Sequence, residues 1–388
     1  MFRQFSAYQS WQAPASLHFL HRNLLEILHI FSPSEFCRSR FLSDRGKTTV
    51  NPDGFTRILT KDRQKYARQN HGSDYYSYPK EGRNMKDNKR SAFITIVGIP
   101  NVGKSSILNR LLGHKIAIVS SKPQTTRNRI TGILTEGDDQ FVFFDTPGLH
   151  KPRTELGEYM VRAINESVPN GDVAVMVVEA DPEVRKGELS LIEKLKKAEM
   201  PTILAINKID TLKNKKEELM EAILAYSALY DFDAVVPISA ETGEGFPALK
   251  EELKKHCVEG GHFFDDDALT DQPEKVIVAE IIREKLLRLC DKEIPHGTAV
   301  VTESISERED SGIMDIDATI YCERDSHKGI VIGKKGAMLK KISTYSRQDI
   351  ERFFGCKVNL QTWVKVREDW RNRRSMLSNF GYDNKNYD

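Results

Sequence analysis

Cysteine is scarce and unpatterned in this chain. The five cysteines, Cys37, Cys257, Cys290, Cys322 and Cys356, are scattered, odd in number, and form no C-x-x-C pair. That excludes a disulfide framework or a cysteine zinc site and reads as reduced thiols of a cytosolic protein. Net charge is also slight, +2 over 388 residues. The molecule as a whole therefore announces no nucleic-acid partner, and any such site must come from local clustering. No apolar run reaches the ~18 residues of a membrane-spanning helix. The best candidate, LHFLHRNLLEILHIF at residues 17–31, is short and carries His, Arg, Asn and Glu. Packing, or a segment without structural meaning, explains it better than an amphipathic membrane-surface helix. No internal repeat is visible. With 39% hydrophobic and 29% charged residues, the length suits two or three globular domains.

Texture changes sharply along the chain. Residues 1–90 show no sustained period and are rich in Arg, Ser, Asn, Tyr and Gln, which reads as an unstructured or non-native extension. From residue 91 short apolar runs recur: FITIV (93–97), FVFF (141–144), VAVMVV (173–178), TILAI (202–206) and AVVPI (234–238). Helical patterns such as KSSILNRLLG sit between them, with apolar residues three and four apart. Continuous apolar strands of this kind belong to a parallel sheet covered by helices on both faces. Residues 91–257 are therefore predicted to form a doubly wound, mostly parallel α/β domain. Its ligands would bind at the carboxyl ends of the strands. EGGHFFDDDALTDQPE lacks periodicity, and residues 258–275 read as a linker or lid. A smaller α+β unit follows over 276–375, and a tail over 376–388. The α+β unit should hold a helix (VIVAEIIREKLLRLC) and two β-like segments (TAVVTESI and MDIDATIYCE). After them come a strand-like apolar run, a Gly-Lys turn, a second helix and a strand at KVNLQTWVKV.

GIPNVGKS, Gly98 to Ser105, fits G-x-x-x-x-G-K-[ST] directly after FITIV and before a helical pattern, the context of a phosphate-binding P-loop. Gly98 and Gly103 let backbone N–H groups approach phosphate oxygens, and the helix N-terminus adds a favourable dipole. Ile99, Pro100, Asn101, Val102 and Ser106 complete the candidate loop. Lys104 brings charge to the β/γ-phosphates, and the Ser105 hydroxyl is a ligand for Mg²⁺. FVFFDTPG puts Asp145 at a strand end, where a water-linked Mg²⁺ contact needs a carboxylate. Thr146, Pro147 and Gly148 follow; Gly148 can give its N–H to the γ-phosphate and reorient when that phosphate leaves. TILAINKID puts Asn207, Lys208 and Asp210 at another strand end. The Asp210 carboxylate can accept from guanine N1–H and the 2-amino group, donors that adenine lacks. ISAETGEG adds Ser239 and the N–H of Ala240, the latter for guanine O6. In this order, each after its own apolar run, these motifs specify GTP and GDP.

Between the first two motifs SSKPQTTRNRITGI is polar and reads as a loop that a Thr hydroxyl on Mg²⁺ would order. Thr125 and Thr126 both qualify, with Thr126 preferred. HKPRTELGEYM after DTPG is the matching second switch. Leu149 stands where a Gln would orient the attacking water, so slow turnover is expected. Asn101 could help bind a monovalent cation, K⁺, near the phosphates.

DSHKGIVIGKKGAMLKKI contains Gly333, Lys334, Lys335 and Gly336, a GXXG loop in the context of a KH domain. Such a loop clamps about four nucleotides of single-stranded nucleic acid. Lys334 and Lys335 offer phosphate charge, and Lys328, Lys340 and Lys341 thicken the patch. Further on, WVKVREDWRNRR interleaves two Trp with Lys and Arg, and one Trp is expected in the core.

Residues 85 to about 375 closely resemble the Era family of bacterial KH-containing GTPases. The likeness rests on GIPNVGKSS, PQTTR, DTPGLHKP, NKID, SAETGEG, IREKLLRL, EIPH, ERDSHKGIVIGKKGAMLKKI and the terminal WVKV–DW. The hydrophobic residue after DTPG is shared as well. It implies a type II KH domain and GTP hydrolysis coupled to binding the 3′ end of 16S rRNA. It also implies a role in 16S rRNA processing with the maturing 30S subunit as partner. A cytoplasmic monomer loosely associated with the inner membrane is expected. Two alternatives are a nucleotide-gated RNA chaperone, in which hydrolysis only resets binding, and a GTPase of tRNA modification. The second kind lacks a GXXG unit and usually carries a C-terminal cysteine, absent here.

Chains of this family begin a few residues before the first strand, at the position of Met85. Lys-Glu-Gly-Arg-Asn before it can be encoded as AAR-GAR-GGN-AGR-AAY, which can hold a GGAGG-like ribosome-binding sequence. The favoured reading makes residues 1–84 upstream sequence read through from a misassigned start. A natural extension, such as an organellar transit peptide, is the alternative, though Glu26, Glu35 and Asp44 fit it poorly.

Overall fold

The computed structural model describes residues 88–120, 122, 125–148, 154–160, 171–291 and 294–382. Residues 1–87, with Met85, Cys37 and the 17–31 segment, lie outside them, as do Leu149 and residues 150–153 of the second switch.

The run around FITIV is strand β1 (Arg90–Val97), buried from Ser91 onward because helices cover both faces of its sheet. Helix α1 (Lys104–Leu112) buries Ile107, Leu108, Leu111 and Leu112, and a left-handed Gly113 ends it. Then come β2 (Ile130–Glu136), β3 (Asp139–Asp145), β4 (Val173–Glu179), α2 (Lys186–Lys197) and β5 (Thr202–Asn207). They are followed by α3 (Lys215–Ser227), β6 (Ala234–Pro237), α4 (Phe246–Lys254) and the short β7 (Val258–Glu259). The strands lie in the order β2-β3-β1-β4-β5-β6, and β7 pairs with the start of β1. Strand β2 is antiparallel to β3, and β7 to β1; the other pairings are parallel. The polar loop expected over SSKPQTTRNRITGI thus gives way at Ile130 to a strand, because Ile130 and Ile133 are buried.

The connector forms a strap rather than a lid. Phe263 and Phe264 pack on Phe93 and Phe144. Gln140 Oε1 accepts from both of their N–H groups at 2.8 and 3.0 Å, and Thr270 Oγ1 donates to Thr131 O at 2.6 Å.

The C-terminal unit comprises α5 (Glu274–Leu289), β8 (Thr298–Glu307), β9 (Met314–Cys322), α6 (Asp325–Ile332), α7 (Ala337–Phe354), β10 (Val358–Val366) and α8 (Arg374–Asn379). Its sheet has the order β10-β9-β8, with β10 parallel and β8 antiparallel to β9. Ile277, Ile281, Ile320, Ile342 and Ile350 share its core. KGIVI, expected as a strand-like run, is helical within α6. Short β-branched runs suit either state, and here Val331 is buried in that core while Ile330 stays half exposed. Trp370 is buried as expected of one tryptophan, whereas Trp363 is exposed.

The two units are docked. Lys115, beyond α1, pairs with Glu284 of α5 at 2.5 Å and with Asp349 of α7 at 3.0 Å. Leu156, Tyr159 and Met160, from the segment expected to be the second switch, share a buried cluster with Ala299, Trp370, Leu377 and Tyr382. Among the described residues, no helix is long and apolar enough to cross a membrane.

Candidate functional site

The turn from β1 into α1 depends on two glycines. Gly103 has φ 102°, and a Cβ there would run into the Asn207 amide. A Cβ at Gly98 would lie 2.6 Å from Val177 O. The loop closes over Lys104, whose ammonium is buried and donates to Gly98 O and Ile99 O at 3.0 Å each. Asn101, left-handed at φ 70°, is exposed.

A cleft of about 420 Å³ opens beside this loop. Pro100, Asn101, Gly103, Lys104, Ser105 and Ser106 line it, together with Thr126, Gly148, Asn207, Lys208, Asp210 and Ala240. Strand ends thus bring the separate motifs to one place. Other predicted residues sit behind the wall. Ile99 and Val102 are packed in the core. Pro147 is buried, and Thr146 Oγ1 donates to Ile96 O at 2.9 Å. Gly148 abuts the loop so closely that a Cβ would lie 2.8 Å from Pro100 Cα. Ile118, Val119, Ser120, Thr211 and Glu241 also line the cleft and were missed. Thr211 and Glu241 adjoin recognised motifs and Ser120 opens the polar switch segment, but Ile118 and Val119 carry no signal of their own.

Three oxygens converge where a divalent cation would sit. Ser105 Oγ donates to Asp145 Oδ2 at 2.6 Å and lies 3.0 Å from Thr126 Oγ1. Asp145 Oδ1 is buried and has no hydrogen-bond partner. Burial pushes the Asp145 carboxyl up to about 6, opposed by the Lys104 charge and by hydrogen bonds from Ser105 and Thr126. Burial likewise pushes the Lys104 ammonium down to about 8, opposed by Asp145. A cation beside one and a phosphate beside the other would each restore the charged form. This hard, all-oxygen donor set fits Mg²⁺. Thr125 also lines the cleft, but its Oγ1 donates to Lys122 O at 2.5 Å rather than meeting Ser105 or Asp145.

Asn207 is buried and its amide joins two motifs, with Nδ2 donating to Val102 O at 2.8 Å and Oδ1 accepting from Ala240 N–H at 3.0 Å. The Ala240 N–H expected to meet guanine O6 therefore faces Asn207 here. Ser239 Oγ donates to Asp210 Oδ1 at 2.5 Å and orients that carboxylate. Lys208 pairs with Glu179.

In the C-terminal unit the GXXG loop joins α6 to α7. Gly333 and Gly336 have φ of 72° and 80°, and Lys335 is left-handed at 53°. A Cβ at Gly333 would lie 2.7 Å from Met338 Cβ. Lys334, Lys335, Lys340 and Lys341 are exposed and Lys328 half-buried. Lys341 Nζ lies 5.8 Å from the Tyr345 ring centre. Of the arginines near Trp370, Arg371 pairs with Glu323 at 2.5 Å and the largely exposed Arg374 with Glu155 at 3.2 Å.

The family model for 50S ribosome-binding GTPases matches residues 93–208, and that for KH domains matches residues 293–371. Fold and motifs together define a P-loop GTPase joined to a KH domain. The chain is 50% identical over 293 residues to GTPase Era of Clostridium kluyveri, covering 76% of this chain and 99% of that one. It is 48% identical over 296 residues, with the same coverage, to GTPase Era of Clostridioides difficile. The chain belongs to the Era family of GTPases. Among solved structures it resembles an Aquifex aeolicus Era variant bound to GDP·AlF4⁻, with TM-score 0.73, 36% identity, and coverage of 76% and 99%. It equally resembles Era in complex with MgGDPNP and nucleotides 1506–1542 of 16S ribosomal RNA, with TM-score 0.73, 35% identity and the same coverage.

Proposed function

We propose that this GTPase binds the 3′ end of 16S rRNA through its KH domain and acts in 16S rRNA processing and 30S subunit biogenesis. The exposed Lys334 and Lys335 in a left-handed GXXG loop are the observation that carries this reading. The Era complex with 16S nucleotides 1506–1542 supports it. The KH domain is what a tRNA-modification GTPase would lack.

At the nucleotide, P-loop amides and Lys104 would hold the phosphates. Ser105 and Thr126 would ligate Mg²⁺, with Asp145 behind them, and Asp210 would read guanine. Mg²⁺, when bound, supplies charge that stabilises the phosphate oxygens during hydrolysis. Gly148 would sense the γ-phosphate, and Asn101, exposed at its left-handed turn, is the candidate K⁺ ligand. With Leu149 in place of a Gln, turnover should be well below about 1 s⁻¹. A cytoplasmic monomer with peripheral inner-membrane contact completes the reading. Filter binding of a 16S 3′-end oligonucleotide, with GTP, GDP or a non-hydrolysable analogue, tests it. Equal, weak binding to unrelated RNA in every state would contradict it. Unchanged GTP hydrolysis and potassium response in Asn101→Ala would remove the K⁺ role.

A further inference from the structure

The residue after Thr126 leaves the nucleotide domain altogether. Arg127 is only 1% exposed, and its guanidinium reaches into the KH unit. It donates to Thr298 O at 2.7 Å, His296 O at 3.0 Å and Pro295 O at 3.2 Å. Its Cζ lies 5.7 Å from the centre of the Trp370 ring. That indole donates to Gly297 O at 3.1 Å, so the socket's ring and its carbonyls are fastened to each other. On the other flank of Thr126, Thr125 O accepts from Arg283 of α5, itself 1% exposed and held by Glu280 at 2.6 and 2.8 Å. The KH unit therefore grips the chain on both sides of Thr126, while the Thr126 hydroxyl lies 3.0 Å from Ser105 Oγ. A buried guanidinium is costly to desolvate, and here carbonyls, the Tyr382 hydroxyl at 3.3 Å and a ring face offset part of that cost, while Nε has no partner.

We propose that Arg127 is a positioning residue for the GTP-bound state. By seating the first switch in the KH unit, it fixes the Thr126 hydroxyl where Mg²⁺ and the triphosphate would meet it. The inference rests on Thr126 being the switch ligand to Mg²⁺. A diphosphate depends on the P-loop and the guanine pocket, which Arg127 does not touch, so its effect is selective for the triphosphate. By linkage, triphosphate binding in turn favours the docked KH unit.

The test titrates the full chain with a fluorescent non-hydrolysable GTP analogue and with fluorescent GDP, in Mg²⁺ and in EDTA. Arg127→Ala should weaken analogue binding in Mg²⁺ by roughly tenfold and leave GDP binding within about twofold. In EDTA the variant and the wild type should match. Arg127→Lys keeps the charge but gathers its donors on one nitrogen, where Arg127 spans the carbonyls with two and lays a planar face on Trp370, and should fall with Arg127→Ala. Arg283→Ala should show the same split in smaller measure, and it decides the matter if Arg127→Ala does not fold. Equal loss of both nucleotides, or unchanged analogue binding, overturns the proposal. Thr126→Ala separates the two levels. If it shows no split, the ligand assignment fails; if it shows one while Arg127→Ala and Arg283→Ala do not, only the positioning role fails.

Discussion

At Asp210 and its supports, single side chains would set the proposed nucleotide choice. Ser239 holds one carboxylate oxygen at 2.5 Å, and Asn207 pins the neighbouring Ala240 segment to the P-loop. Asp210→Asn replaces two acceptor oxygens by one donor and one acceptor. It should lower GTP affinity by about 100-fold or more and raise that for xanthosine triphosphate, which has a carbonyl where guanine carries its amino group. Competition against labelled GTP reads both, and unchanged GTP affinity would refute the role. Asn207→Ala should act differently, because it frees Val102 O and Ala240 N–H together. Affinity for GTP and GDP should fall alike, with a stability loss of about 1–3 kcal/mol by thermal unfolding. These residues were legible in the sequence because each motif ends an apolar strand and parallel strands end on one side. Arg127 was not, since PQTTR does not show that its guanidinium meets Thr298 O across the domain boundary.

At the scale of elements, apolar runs buried on both faces were easily read, whereas contacts made by tertiary packing were not. Strand β2 hid in a polar segment, and α6 hid in the β-branched run GIVI, whose Val331 the KH core claims. The strap at Phe263 and Phe264 looked structureless because backbone hydrogen bonds to Gln140 hold it, rather than a periodic face. The junction of α5 and α7 with Lys115 has a pH signature. Burial pushes the Asp349 carboxyl up, but hydrogen bonds from Lys285 and Lys115 outweigh it and hold the group down at about 2. A depressed carboxylate stabilises the fold above its ordinary value of 3.8, and that contribution fades as pH falls toward 2. Solvent screening reduces what the shift is worth, so Asp349→Asn should cost about 1 kcal/mol at pH 6 in urea unfolding, a gap that closes between pH ~4 and ~2. A gap independent of pH would contradict this. On the GXXG element, Lys334→Ala or Lys335→Ala should each reduce the salt slope of RNA binding by about 1, with GTP hydrolysis unaltered in the absence of RNA.

For the whole molecule, both switches touch the C-terminal unit: the first through Arg127 and the second through Leu156, Tyr159 and Met160 in the cluster around Trp370. The nucleotide cleft and the GXXG loop therefore belong to one docked body, through which the proposed response to the γ-phosphate would reach the KH domain. The most direct measurement is the affinity of a 16S 3′-end oligonucleotide for the full chain, loaded with a non-hydrolysable GTP analogue or with GDP. Wild type is compared with a Lys334→Asp, Lys335→Asp double variant. Binding should be tight, discriminate against unrelated RNA, depend on the bound nucleotide, and fall by roughly 10-fold or more in the double variant. Binding that ignores RNA sequence and nucleotide, or that survives both charge reversals, would contradict this.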